Sequence, residues 1–188
     1  MIANSSTHDL TSSLRAATVG LLLALLTILF GQGMGIVFGL NEDSIKSRLK
    51  GDAANVLETV YRGDTMASQA VVDKSWSYMK RAHLHAGGMG TTAIALVVVL
   101  CLFGASPRAI ALISLALGAG GLGYSAFWMW AGFRAPGLGS TGFAKESLAW
   151  LAMPSAGGFV VATIAVFIVL LIRTLSKSEY EIDLTSAI

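Results

Sequence analysis

The sequence predicts an all-α integral membrane protein, a bundle of four transmembrane helices with an amphipathic helix in its long first loop. Three observations carry that prediction. The chain of 188 residues is 54% hydrophobic and only 13% charged, with a mean hydropathy of +0.69, whereas soluble domains carry roughly 25% charged residues. Four segments are each long and apolar enough to cross about 30 Å of hydrocarbon, which takes ~20 helical residues. None of the four alternates apolar and polar residues, as the strands of a membrane barrel do. This composition excludes a soluble enzyme, a disordered tail and a nucleic-acid-binding arm. A net charge of +2 is too small to call for a polyanionic partner, and the lone Cys101 cannot close an internal disulfide.

The elements follow in order within a single membrane domain, residues 1–188. The first span is expected at about 16–40. Arg15 before an apolar run is the opening of a secretory leader, but the run continues past Gly31 to Leu40 without a small-residue cleavage pattern, which reads as a retained span. Residues 41–80 form the long loop. Ile45, Leu49, Val56, Leu57 and Val60 recur at helical spacing, and Asn41 followed by Glu42 and Asp43 reads as a helix start with acids at the positive end of the dipole. An amphipathic helix on the membrane surface is preferred here over a solvated hairpin. Gly63 and Asp64 end that helix and cap another, which runs into the second span at about 82–104. A tight turn at Ser106 and Pro107 makes the second and third spans antiparallel neighbours. The third span covers about 108–133, a Gly/Pro loop follows from Ala135 to an N-cap at Ser140, and the fourth covers about 148–173. Pro154 is expected to kink the fourth.

The membrane face bearing residues 41–80 is termed side A; both termini and the Ser106 turn then lie on side B. Nine lysines and arginines fall on side A (Lys46, Arg48, Lys50, Arg62, Lys74, Lys80, Arg81, Arg134 and Lys145) and four on side B. The positive-inside rule puts side A in the cytoplasm and both termini outside a bacterial inner membrane. Trp76, Trp128, Trp130 and Trp150 all fall near side A. Small residues at four-residue spacing recur in every span: Gly31, Gly35 and Gly39; Ala86 and Gly90; Ala116 with Gly120 and Ala119 with Gly123; Ala152 with Ala156. Lipid tails are as apolar as leucine, so close backbone approach must hold such helices together, and a tight four-helix bundle is expected. Gly118 to Gly123 matches GxGxxG, but inside an apolar span it packs helices and binds no dinucleotide.

Polar side chains within a span are costly and count as functional candidates. His83 and His85 open the second span. Gln32 and Met34 lie roughly 9–12 Å inside the first span at 1.5 Å per residue, and His85 lies at similar depth. Tyr124, Trp128 and Arg134 reach the same layer from the third span, and Lys145, Glu146 and Met153 from the fourth. Arg81 serves as a snorkelling anchor. This convergence predicts a site or wet vestibule on side A. The His-X-His pair admits haem b or copper, but residues two apart on a helix point about 200° apart, so both rings cannot face one ion. Haem within one copy therefore pairs His83 or His85 with Met34 or Met89 or leaves an open position, and the alternative is bis-His ligation across two copies. Copper suits the same histidine and methionine donors. The plainer readings are a histidine bonded to a neighbouring carbonyl, methionines filling core gaps, and Gln32 bridging helices for around 1 kcal/mol.

The run Arg81-Ala82-His83-Leu84-His85, opening a helix rich in small residues, resembles the His-X-His helix openings of haem–copper-oxidase-related membrane proteins, whose histidines ligate haem. It is also similar to uncharacterised bacterial four-span proteins that share a long first loop. The resemblance spans Lys80 to Gly90. The further ligand histidines of the oxidases have no counterpart here, and four spans are too few for that fold, so the resemblance excludes an oxidase core and leaves a haem-bearing relative open. No nucleophile–base pair, paired intramembrane carboxylates or phosphate loop is present, so the chain is not expected to be an enzyme by itself. Three functions stay open. The first is a non-catalytic integral subunit or assembly partner of a larger bacterial membrane complex, respiratory or otherwise redox. The second is a haem- or copper-binding electron-transfer protein with quinone as partner. The third is a small transporter or channel with its vestibule at Gln32, His85 and Tyr124. The expected partners are membrane lipid and other integral subunits or a second copy, with no nucleic acid.

Overall fold

A computed structural model describes the backbone of residues 3–186 and the side chains of residues 10–175. The described residues form five helices joined by short turns, without strands: α1 (Ala3–Ala54), α2 (Thr65–Leu102), α3 (Pro107–Leu138), α4 (Thr141–Glu146) and α5 (Ala149–Ser186). Four of these helices, α1, α2, α3 and α5, are long and apolar enough to cross a membrane.

The helix ends are written in local chemistry. The Asp64 side chain accepts the Ala67 N–H at 2.9 Å and starts α2. Ser106 accepts the Ala109 N–H at 3.3 Å, with Pro107 in the first turn of α3, where its missing N–H costs nothing. Gly139 ends α3 in the left-handed region (φ 67), and a Cβ there would also strike Val60. The predicted loop from Ala135 is shorter than expected, because α3 continues through Pro136 to Leu138. Ser140 is an N-cap, accepting from the N–H groups of Gly142 (3.1 Å) and Phe143 (3.3 Å), but it caps the one-turn helix α4 and not the fourth span.

Residues 41–80 are helical on both sides of one turn, with the expected break at Asn41 and the expected cap at Asp64 of a helix that runs on into the second span. α1 bends at Asn41 (φ −130, ψ 22) and continues to Ala54. Residues 55–64 turn the chain, with Arg62 at φ 56 and Gly63 at φ 78, and α2 starts at Thr65. At 1.5 Å per residue, the 38 residues of α2 measure about 57 Å, far more than hydrocarbon requires. The first turns of α2 and the last of α1 therefore pair as a helical hairpin on side A, with Leu49 and Ala53 buried against Val72 and Trp76. Tyr61 ties the turn to the end of α3, donating its hydroxyl to the Pro136 carbonyl at 2.8 Å. Burial holds the Tyr61 phenol above its ordinary pKa.

α3 is the centre of the assembly. It packs against α1, α2 and α5, whereas α5 meets little besides α3. Of the most apolar stretch of each helix, 44% is buried in α3 against 17% in α5. The expected four-helix bundle is thus built of three mutually packed helices, α1, α2 and α3, with α5 laid on α3. This position explains the glycines of α3. Gly118 lies against Gly20 and Leu23 of α1, Gly121 against Met89 of α2, and Gly120 against Ser155 and Phe159 of α5. A helix with three close neighbours needs small residues on three faces.

Two core clusters divide the molecule along its length. The side-A cluster is aromatic and soft, with Phe38, Trp76, Tyr78, Met79, Phe127 and Trp128 at its heart. The other is aliphatic, built on Ala17, Ala24, Val97, Leu100, Ile110, Leu117 and Val166, and contains the buried thiol of Cys101. Buried hydroxyls bond within their own helices: Thr27 to the Leu23 carbonyl (2.8 Å), Ser75 to Val71 (2.7 Å) and Ser125 to Gly121 (2.8 Å). Each donor is satisfied one turn back.

Candidate functional site

The two histidines project onto different neighbours, as the 200° between their positions requires. His83 faces α1. Its Nδ1 lies 2.8 Å from the Gly31 carbonyl, and since a carbonyl only accepts, Nδ1 carries the proton. The ring occupies the space where a Cβ on Gly35 would sit 2.9 Å from Cε1. Gly31 and Gly35 thus make a niche for an imidazole as well as a helix seam. Phe38 meets the His83 ring edge-on at 6.4 Å and the Trp76 ring at 5.1 Å, with the Lys46 ammonium 5.5 Å above Trp76.

His85 faces α3. Its ring lies 5.0 Å from Tyr124 and is stacked at 6.3 Å on Trp128. Tyr78 and Phe127 pack edge-on against Trp128 at 4.8 and 5.0 Å. The Arg81 guanidinium sits 4.5 Å from the Trp128 ring centre and 5.8 Å from Tyr78, and Lys145 of α4 lies 5.9 Å from Tyr78. The Trp128 indole N–H is buried and finds no acceptor among the described residues, a rare condition for a native donor. Neither ring nitrogen of His85 makes a hydrogen bond to the described residues. A cation, an indole N–H, a phenol and an imidazole converge here on aromatic walls, a donor-rich surroundings for an acceptor group.

A third feature lies between α1 and α3, a cavity of about 500 Å³ walled by Phe30, Met34, Val37, Phe38, Met79, Met129 and Phe133, with Ser44 and Arg48 at one end. The Arg48 guanidinium lies 5.5 Å from the Phe133 ring.

Several predicted residues are therefore brought together and others are not. Arg81, His85, Tyr124 and Trp128 share one cluster. His83 stands apart from them on α1. Met34 lines the cavity, and Met89 packs against the backbone of Gly121 deeper in the bundle. Gln32 is exposed on the outer surface of α1 and shares no hydrogen bond or ring contact with His85 or Tyr124, so the expected vestibule of Gln32, His85 and Tyr124 is not assembled. Arg134 is half-buried on α3, and Met153 is exposed. The four tryptophans split. Trp130 and Trp150 are exposed and meet edge-on at 6.3 Å, while Trp76 and Trp128 are buried. Among the described residues no three His, Cys, Asp or Glu side chains gather as metal ligands. Tyr78, Phe38 and Arg48 were not anticipated. Tyr78 lies three residues before Arg81 and seven before His85, spacings that share a helix face, and this was the available signal for it.

The fold thus defines the class, an all-helical protein with four helices compatible with membrane insertion and an aromatic, cation-lined layer at one end. A scan of protein-family models and searches of curated proteins and solved structures found no match to the chain.

Proposed function

We propose that the chain is a non-catalytic integral subunit or assembly partner of a larger bacterial membrane complex, respiratory or otherwise redox. The observation that carries this reading is Gln32. It lies within the apolar part of α1, is exposed, and makes no hydrogen bond to the described residues. A carboxamide brings two donors and an acceptor oxygen, and hydrocarbon offers partners to neither. A neighbouring transmembrane helix supplies them. The broad uncovered faces of α1 and α5, including Leu22, Leu29, Ile36, Ile164 and Phe167, leave room for such a neighbour. In this reading side A is cytoplasmic, the termini lie outside, and the hairpin of residues 42–54 with the start of α2 carries Arg48 at headgroup level, where it lies over Phe133. Gentle solubilisation followed by native mass spectrometry should yield a discrete complex larger than the monomer, and Gln32→Leu should weaken it. A monodisperse, cofactor-free monomer overturns the proposal.

A second reading, a haem- or copper-binding electron-transfer protein with a quinone partner, is favoured by the Trp128 N–H beside His85, which has no acceptor among the described residues. A quinone carbonyl is an acceptor of the kind this donor lacks. Reduced-minus-oxidised spectra and metal analysis test it; a signal retained in both His83→Ala and His85→Ala ends it.

A further inference from the structure

We propose that the cavity between α1 and α3 is a phospholipid site, taking an anionic headgroup at Arg48 and Ser44 and an acyl chain along Met34 and Met129. The inference depends on the membrane placement of α1 but not on the partner-subunit reading. Its first support is the order of the walls. Along α1, Phe30, Gly33, Met34, Val37 and Phe38 line the cavity before the bend at Asn41, whereas Ser44, Ile45 and Arg48 line it after the bend, so both polar lining residues lie beyond the bend. The apolar span ends at about residue 40. Polar side chains therefore enter the cavity wall only where a bilayer changes from hydrocarbon to headgroup. Its volume of about 500 Å³ lies within the roughly 300–1,000 Å³ of small-molecule sites. Methionine walls are unbranched and adapt to a flexible chain.

The second support is the state of Arg48. On the same arm Lys46 pairs with Glu42. Arg48 has an acid one turn further on, Asp52, yet forms no ion pair with it among the described residues and lies instead over Phe133 at the cavity wall. A phosphodiester accepts charge-assisted hydrogen bonds from guanidinium, and Ser44 adds a hydroxyl donor. A neutral quinone offers Arg48 no anionic acceptor, and the quaternary ammonium of a zwitterionic lipid opposes the guanidinium that its phosphate attracts, which favours a phospholipid of net negative charge.

The test uses the full chain in neutral detergent, offered equal amounts of phosphatidylglycerol and phosphatidylcholine and read by native mass spectrometry. The wild type should retain phosphatidylglycerol over phosphatidylcholine by about fivefold, the effect of one basic side chain at an anionic membrane surface. Arg48→Gln should bring the ratio close to one with lipid still bound. A Cβ on Gly33 would meet nothing within 4 Å, so Gly33→Leu can extend into the cavity and should displace the bound lipid while leaving the unfolding midpoint unchanged. Equal retention of the two lipids by wild type, an undiminished preference in Arg48→Gln, or lipid still bound in a folded Gly33→Leu overturns the proposal. So does an isoprenoid quinone or a second copy of the chain in place of the lipid. If Gly33→Leu does not fold, Arg48→Gln decides the matter alone.

Discussion

Replacing Tyr61 by phenylalanine removes one oxygen from a buried tie and leaves the ring in place. The Tyr61 hydroxyl donates to the Pro136 carbonyl at 2.8 Å across 75 residues of chain, joining the side-A turn to the end of α3. The Pro136 carbonyl is not orphaned by the change, because the Gly139 N–H also donates to it at 3.3 Å. The cost is therefore that of a lost hydrogen bond, about 1 kcal/mol, and not the larger penalty of a stranded buried acceptor. Arg62, next in sequence and exposed, makes the turn a trypsin site. If opening and reclosing are fast against cleavage, the rate follows the open population, and about 1 kcal/mol raises it about fivefold. Limited trypsinolysis in detergent should show that acceleration after Arg62 in Tyr61→Phe. The pH dependence has a definite sign. Burial raises the Tyr61 phenol above its ordinary 10.0, so its contribution is whole below that value and is lost as pH rises through the folded pKa. In thermal scans, the wild type's advantage over Tyr61→Phe should be full at neutral pH and vanish in strong alkali. Equal cleavage rates, or an advantage that persists at high pH, refute the reasoning.

Two further substitutions test the packing. Gly118→Ala would place a methyl against the Gly20 backbone and 2.8 Å from the Leu23 Cβ; we expect a loss of roughly 1–3 kcal/mol in detergent unfolding, whereas Gly88→Ala, which meets nothing within 4 Å, should fall within about 0.5 kcal/mol of wild type or gain stability. Equal effects at the two positions would show that α1 and α3 do not approach there. His83→Ala deletes the bond to the Gly31 carbonyl and the ring that fills the Gly35 niche, at a cost of roughly 2 kcal/mol; an unaltered unfolding midpoint rejects the tie.

Much of the side-A layer could be read from the sequence, and its division could not. The histidines, Arg81, Tyr124 and Trp128 stand out because polar and amphipathic residues are scarce in these spans. That His83 and His85 serve different neighbours follows from helix geometry alone. That Gly31 and Gly35 receive one ring and Trp128 the other depends on which helices lie alongside α2. Gln32 shows the limit most clearly. It is one residue from Gly31, yet it faces outward, about 100° around the helix.

What the sequence determined by itself is the helical character of the chain and most of its punctuation, because span length, the capping carboxylate of Asp64, the Ser106 and Pro107 turn and the Ser140 cap act within a few residues. Tertiary structure decided the rest: the central place of α3, the docking of α5 on α3, the split of the tryptophans and the pairing of the end of α1 with the start of α2. The reason is a degeneracy. In a soluble helix the apolar face marks the core, but hydrocarbon-facing and core-facing residues are equally apolar here, so hydropathy does not reveal the helix phase. Every span also carries a small-residue seam, and only the assembled helices choose among them.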